Sequence, residues 1–252
     1  MQSDRIDRRQ MKLDAKAAMS EHRPSIFLIA FVFLAITAVL DWLSGKLAYP
    51  GVSSQELVTA WMDPAKMQEI TEIALHHRST GGTFLGTAIN IMEIMLSGGF
   101  LLACLNVARR EAATIGTLFD AFNYFLRFLW LNILCGIFIF LWSLLLVIPG
   151  IVAAYRYSMA TRIFFDNPEK GALQCIRESK ELTRGYKGQL FVLDLSFLGW
   201  ALLSIVPFVS IYVQPYISVT RSNYYRALRG EHDRQQRQQY YSEGTYGDPW
   251  NR

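Results

Sequence analysis

Charged residues are scarce in this sequence. They make up 18% of its 252 residues, whereas a soluble domain usually carries about a quarter. Apolar residues account for 52% of the chain, and they are gathered into runs that approach 20 residues. A helix of about that length crosses a bilayer. The composition therefore excludes an ordinary soluble domain and indicates a multi-pass membrane protein.

Cysteine and histidine are also few. Cys104, Cys135 and Cys175 have no CxxC spacing, so they predict neither a disulfide framework nor a zinc site, and we interpret them as small packing residues. The four histidines are too scattered to ligate one metal ion. The sequence also lacks the short motifs of phosphate-binding loops, dinucleotide sites, serine hydrolases and zinc proteases. We therefore expect no cofactor, no metal and no enzymatic activity.

A cleavable signal is not expected at the N-terminus. Asp4, Asp7, Asp14 and Glu21 are mixed with basic residues before the first apolar run, whereas a secretory signal begins with a short basic region. We expect the first apolar run to be retained as an anchor.

The apolar runs predict an all-α bundle with six transmembrane spans and short amphipathic interfacial helices. Residues 1–228 would form a single integral membrane domain. Its spans are predicted at residues 26–43, 84–107, 128–148, 150–166, 189–206 and 208–226. Residues 44–83 should add two short helices outside the cytoplasm, and residues 229–252 should form a disordered tail because they lack apolar periodicity. Gly98 and Gly99 offer a place where a neighbouring helix can approach the second span.

The basic residues predict the orientation of these spans. Basic clusters precede the first span and follow the second, fourth and sixth, whereas the long segment after the first span contains three basic residues, Lys46, Lys66 and Arg78. Because cytoplasmic loops carry an excess of Lys and Arg, both termini should be cytoplasmic. The net charge of +4 is then assigned to anionic lipid headgroups rather than to nucleic acid. Membrane lipids are the expected partners, together with another membrane protein or a second copy of the chain, in the cytoplasmic membrane.

Two turn signals punctuate the second half of the chain. Pro149 and Gly150 end a long apolar run, and they predict the outer turn of a hairpin between the third and fourth spans. Asp166, Asn167 and Pro168 combine capping side chains with a proline, which predicts the start of a surface helix.

Ionisable residues inside the predicted spans are the candidate site residues. Such residues usually face the bundle interior and pair with one another. They are Glu93, Arg156, Arg162, Asp194 and Arg221. At about 1.5 Å per residue, Glu93 lies roughly 13 Å and Arg156 roughly 9 Å below the outer edge, which predicts an ion pair. Asp194 lies nearer the inner edge, at a depth that suits Arg162 or Arg221.

Three alternatives to pairing remain open at this point. Arg162 could extend its side chain to the inner membrane face, and Asp194 could cap the start of its span. The charged residues could also line a transport or proton path, although no polar track continues along the third span.

Several motifs in the second half of the chain carry a family resemblance. Residues 148–168, 178–187 and 190–204 and the pair Tyr224–Tyr225 resemble a family of bacterial multi-pass membrane proteins catalogued as a domain of unknown function, the nine-seven-five family. The chain is also distantly similar to the membrane portion of glycerophosphodiester phosphodiesterases, without their catalytic barrel. The resemblance implies an all-helical integral membrane protein and no established activity.

These observations favour a non-enzymatic scaffold or accessory component of the bacterial cell envelope. A transporter or exporter component for peptides or amphiphilic small molecules is the first alternative. A membrane-embedded lipid enzyme is the second, with Asp166, Glu169 and Asp194 as its candidate polar residues.

Overall fold

The fold is known from a computed structural model, which describes residues 7–21, 25–48, 68, 80–204 and 207–242. Helices form all the regular secondary structure of these residues, as the apolar pattern predicts. They are α1 (Arg8–Glu21), α2 (Ser25–Ala48), α3 (Thr80–Arg109), α4 (Thr117–Asp120), a 3₁₀ turn (Ala121–Tyr124), α5 (Phe125–Leu145), α6 (Val147–Tyr157), α7 (Ala160–Asp166), α8 (Ala172–Leu182), α9 (Lys187–Leu195), α10 (Leu198–Leu203) and α11 (Pro207–Ser242).

Three helical segments of the described chain are long and apolar enough to cross a membrane. They are Ile26–Lys46, Phe84–Arg109 and Thr117–Leu145. They contain the first two predicted spans and all but the last three residues of the third. Most of the segment predicted to lie outside the cytoplasm, residues 49–67 and 69–79, falls outside the described residues.

The fourth and fifth predicted spans are each broken into two helices. Ser158 separates α6 from α7, and Ser196 follows the last residue of α9. The hydroxyl of each serine donates to the backbone carbonyl three residues earlier, that of Tyr155 and that of Leu193. Such bonds compete with the helical hydrogen-bond pattern, so they provide a local reason for the breaks.

The last helix is longer than the sequence predicts. The sixth predicted span forms the first part of α11, and the helix then continues through residues 229–242, where an irregular tail was expected. Residues 243–252 of the predicted tail fall outside the described residues, whereas residues 229–242 are helical rather than irregular. They are rich in Gln and Arg, which have high helix propensity even without an apolar stripe.

The hairpin turn lies three residues before its predicted position. Leu146 is extended between α5 and α6, whereas Pro149 and Gly150 lie inside the first turn of α6. Proline is tolerated there because the first amides of a helix have no partner within it. A Cβ at Gly150 would overlap Ser143, so this glycine allows α5 and α6 to meet closely.

The expected helix start at Asp166, Asn167 and Pro168 was also wrong. Asp166 ends α7 and Asn167 is its C-terminal cap, whereas α8 begins only at Ala172. The amide of Lys170 donates to the carbonyl of Asn167, so these residues form a turn. The carboxylate of Asp166 is consequently free to contact other helices.

Helices α3 and α11 form the centre of the packing. They contact each other, and both contact α1 and α2. A Cβ at Gly99 would overlap the backbone carbonyl of Leu118 in α4, and one at Gly98 would overlap the ring of Phe128 in α5. Gly98 and Gly99 therefore do permit a close approach, as predicted.

Candidate functional site

Asp166 lies where the ends of α3 and α7 meet the side of α11. One carboxylate oxygen forms an ion pair with Arg109 at the end of α3. The other lies 2.5 Å from an Nη atom of Arg229 in α11 and accepts a hydrogen bond from the Tyr225 hydroxyl. Arg229 also donates to the Tyr225 hydroxyl oxygen at 2.7 Å. Asp166, Arg109, Tyr225 and Arg229 are called the Asp166 cluster below.

The Asp166 cluster was missed as a site by the sequence analysis. Arg109 and Arg229 were taken as orientation signals and Asp166 as a helix cap. One usable signal was the i, i+4 spacing of Tyr225 and Arg229, which places both side chains on one face of a helix. No local pattern, however, could show that α3 and α7 end beside that face.

A second aspartate pairs with an arginine between α9 and α11. Oδ1 of Asp194 lies 2.8 Å from Nη2 and 2.9 Å from Nε of Arg221. The Tyr155 hydroxyl of α6 is also within hydrogen-bonding reach of Asp194. Arg221 was one of the two partners that depth allowed for Asp194.

Arg162 is buried without an acidic partner in the described part of the chain. Its side chain is 6% exposed, which does not fit extension into water. Nη1 donates to the Ser158 carbonyl at 3.2 Å, and Nε lies 3.4 Å from the Ser222 hydroxyl. Both acceptors are neutral. Since a guanidinium is always charged, its hydrogen bonds leave the positive charge uncompensated.

A cavity of about 300 Å³ joins these groups. Its polar wall is formed by Tyr155, Ser158, Arg162, Asp194 and Arg221, and its apolar wall by Ala154, Met159 and Leu190. These residues come from α6, α7, α9 and α11 and from the break between α6 and α7. We call this space the arginine cavity.

The backbone at the break beside the cavity is held by α8. The hydroxyl of buried Ser179 donates to the carbonyl of Arg156 at 2.8 Å and lies 3.2 Å from the amide nitrogen of Met159. The break is therefore satisfied by protein groups, as non-helical backbone must be when it lies within a membrane.

The predicted ion pair between Glu93 and Arg156 is absent from the described residues. Glu93 of α3 instead lies beside Asp41 of α2. The guanidinium of Arg156 lies 5.8 Å from the ring centre of Trp142, because α6 packs mainly against α5. Depth along the membrane normal gave both residues a similar height, but it could not specify on which side of the bundle each would lie.

Helix α1 adds a basic element for which the sequence analysis made no helix prediction. Its buried residues, Ala15, Ala18 and Met19, have helical spacing, which is the signal that could have identified it. Nζ of Lys12 lies 4.4 Å from the ring centre of Phe197. Burial, followed by the charges of Arg8 and Lys16, lowers the pKa of Lys12.

The cysteines occupy separate positions. Cys104 and Cys175 are buried, Cys135 is half-buried, and all three are free thiols. Burial and the nearby carboxylate of Glu178 raise the pKa of Cys175, which lies on α8. Among the residues that the structure describes, no group of three or more His, Cys, Asp or Glu side chains could hold a metal ion.

Comparison with known families supports the resemblance in the second half of the chain. Residues 144–232 match the family described as "Protein of unknown function (DUF975)". This matched segment contains the whole arginine cavity and, apart from Arg109, the Asp166 cluster. No curated protein and no solved structure matches the chain. The further likeness to glycerophosphodiester phosphodiesterases therefore stays a prediction.

Proposed function

We propose that this protein is a non-enzymatic scaffold or accessory component of the bacterial cell envelope. In this proposal it is a multi-pass protein of the cytoplasmic membrane with six crossings and both termini in the cytoplasm. The broken pairs α6–α7 and α9–α10 serve as the fourth and fifth crossings, and the first part of α11 serves as the sixth.

The observation that best supports this proposal is the outward apolar surface of the α5–α6 hairpin. Large apolar side chains around its turn are mostly exposed in the isolated chain: Leu144 is 74%, Val147 73% and Ile148 75% exposed. A monomeric soluble protein rarely exposes a contiguous apolar surface of this kind. Contact with lipid or with the apolar face of another membrane protein would cover it.

Contacts between the ends of different predicted crossings support the proposed topology. The Asp166 cluster joins the ends of the second, fourth and sixth predicted crossings. Arg110, just after the second, pairs at 2.7 Å with Glu21, just before the first. These ends should therefore lie on one side of the membrane, which requires an even number of crossings between them.

Cysteine labelling in intact cells tests this topology. The three native cysteines would be replaced by alanine, and single cysteines would be introduced at exposed Leu13, Leu146 and Leu173. A membrane-impermeant maleimide should label position 146 in intact cells, whereas positions 13 and 173 should react only after permeabilisation. Labelling of position 173 in intact cells would contradict the topology.

The scaffold role is tested by purification in a mild detergent. A partner protein present in stoichiometric amount would support it, particularly if replacing Leu144 and Ile148 by serine releases the partner while the exposed change Leu173→Ser does not. Hydrolysis of a lipid or another phosphodiester by the purified protein would overturn the non-enzymatic proposal.

A transporter or exporter component is the second candidate, and the arginine cavity favours it. Discontinuous helices line substrate sites in many transporters, and here the break between α6 and α7 borders a cavity. Arg162→Gln should then change uptake or efflux of a peptide or amphiphilic anion.

The lipid-enzyme alternative has less support, because Asp166 and Asp194 are each paired with arginines in separate clusters.

A further inference from the structure

The arginine cavity has an excess of positive charge. Two guanidinium groups, Arg162 and Arg221, face it together with one carboxylate, Asp194. The carboxylate is paired with Arg221 and lies near the Tyr155 hydroxyl. Arg162 forms no ion pair with an acidic side chain of the described residues, and Arg221, which faces the same space, has the same sign of charge.

This excess charge is costly where it lies. A buried cation needs a counter-charge, because neutral hydrogen-bond acceptors replace only part of its hydration. Arg162 is 6% exposed and has neutral partners, Ser158 and Ser222. A guanidinium presents five donor groups in a planar fork that matches carboxylate and phosphate oxygens. Donors therefore remain for an anion that enters the cavity.

The shape of the cavity limits the size of that anion. Its volume of about 300 Å³ is at the lower end of the range for small-molecule pockets. A phosphate with a short polar substituent fits this description better than a complete lipid does. Met159 and Leu190 provide an apolar wall on which the carbon atoms of such a substituent could pack.

We propose that the arginine cavity binds a phosphate-containing anion, with Arg162 as the principal charged contact and Arg221 as the second. The phosphate belongs either to the headgroup of an anionic phospholipid or to a free phosphate ion. Ser158 and Tyr155 are the polar groups available for the substituent. The inference goes beyond the proposed scaffold role, and it uses the proposed membrane location only to include lipid as a source.

Titration of the purified full-length chain in a neutral detergent tests the inference. The probes are dihexanoylphosphatidylglycerol, dihexanoylphosphatidylcholine and inorganic phosphate, and calorimetry measures the affinity. We expect saturable binding of the anionic lipid, of inorganic phosphate or of both, with little binding of the zwitterionic lipid. Binding of the anionic lipid without phosphate assigns the headgroup as the source, and binding of phosphate with comparable affinity assigns the free ion.

Variants at Arg162 identify the residue responsible. Arg162→Gln keeps a hydrogen-bond donor for the Ser158 carbonyl but removes the charge, so affinity should fall at least about tenfold, as expected for one charge-assisted interaction. Arg162→Lys keeps the charge without the planar fork and should retain part of the affinity. The matched control is Arg184→Gln, since Arg184 is exposed and lies outside the cavity; it should bind as the wild type does.

Several results would overturn the proposal. One is equal affinity of the wild type for the zwitterionic and the anionic lipid, and another is the absence of saturable binding by all three probes. Both depend on the wild type and therefore stand even if a variant fails to fold. Unchanged affinity in a folded Arg162→Gln variant would also overturn it. Because binding is measured in detergent, this outcome is independent of the topology and partner experiments.

Discussion

The Asp166 cluster and the arginine cavity have the same charged composition in different arrangements. Each contains one aspartate and two arginines. At Asp166 both arginines reach the carboxylate, one at each oxygen. In the cavity only Arg221 reaches Asp194, whereas Arg162 contacts neutral groups. The first arrangement shares one negative charge between two cations, and the second leaves a buried cation facing an open space.

This difference separates a structural role from a binding role. The Asp166 cluster connects α3, α7 and α11, and its charged atoms are already in contact with one another. The cavity has an available volume and a charge without a counter-charge. The two sites contain the same number of charged residues, but their contacts indicate a structural role for the Asp166 cluster and a binding role for the arginine cavity.

The largest effect is expected when the Asp166 cluster is broken. Asp166→Asn leaves Arg109 and Arg229 near each other without a carboxylate, and it should lower the free energy of unfolding by roughly 2–3 kcal/mol, below the full value for a buried pair because Arg229 is partly exposed. Thermal or denaturant unfolding in detergent measures the loss. Asp120→Asn at an exposed position is the control and should change stability little. A loss no larger than that of the control would contradict the structural role.

A smaller effect is expected from the same change in the cavity. Asp194→Asn deprives one arginine of its partner, and Arg221 is partly exposed, so the unfolding free energy should fall by about 1 kcal/mol. The same variant should bind the phosphate probes more tightly, because the competing carboxylate is neutralised. If Asp194→Asn were less stable than Asp166→Asn, the cavity pair would contribute more to stability than the Asp166 cluster, which contradicts this comparison.

The tyrosines of the two sites give a third comparison. The Tyr225 hydroxyl donates to Asp166 and accepts from Arg229, so Tyr225→Phe should lower the unfolding free energy by about 1 kcal/mol. Tyr155→Phe removes a hydroxyl from the wall of a cavity and should lower it less. Equal losses in the same unfolding assay would indicate that the sites do not differ in rigidity.

The smallest effect on stability is expected at Arg162. Without a ligand, Arg162→Met should leave the unfolding free energy within about 0.5 kcal/mol of the wild type or raise it, because removing an uncompensated buried charge also removes its desolvation cost. Arg109→Met is the matched control in the Asp166 cluster and should be clearly destabilising. Dihexanoylphosphatidylglycerol should stabilise the wild type more than Arg162→Met, and a large loss without ligand would contradict this account.

Sequence patterns were informative where the physical rule is local. The apolar runs predicted α2, α3 and α5, since helix length and apolar content follow from consecutive residues. Gly98 and Gly99 correctly predicted a close approach, because a missing Cβ permits one. The turn at Pro149 was misplaced by three residues because proline is compatible both with a turn and with the first turn of a helix.

Site geometry was predicted less completely because it depends on how helices pack. Depth narrowed the partners of Asp194 to two, and Arg221 is the one in contact. Depth also suggested Glu93 for Arg156, but α6 turns that arginine toward Trp142. A depth estimate gives only the position of a residue along the membrane normal, whereas an ion pair also requires that both residues lie on the same side of the bundle.

The sequence by itself determined an all-helical chain with apolar segments of membrane-spanning length and a few ionisable residues among them. These properties follow from composition and spacing along the chain. Only the tertiary structure decided which charges meet, because Arg109, Asp166 and Arg229 lie on three separate helices that pack together. It also decided that Arg162 is buried beside a cavity and that no acidic side chain of the described residues pairs with it. That position follows from the breaks in the helices and from the packing of α6, α7, α9 and α11 around one space.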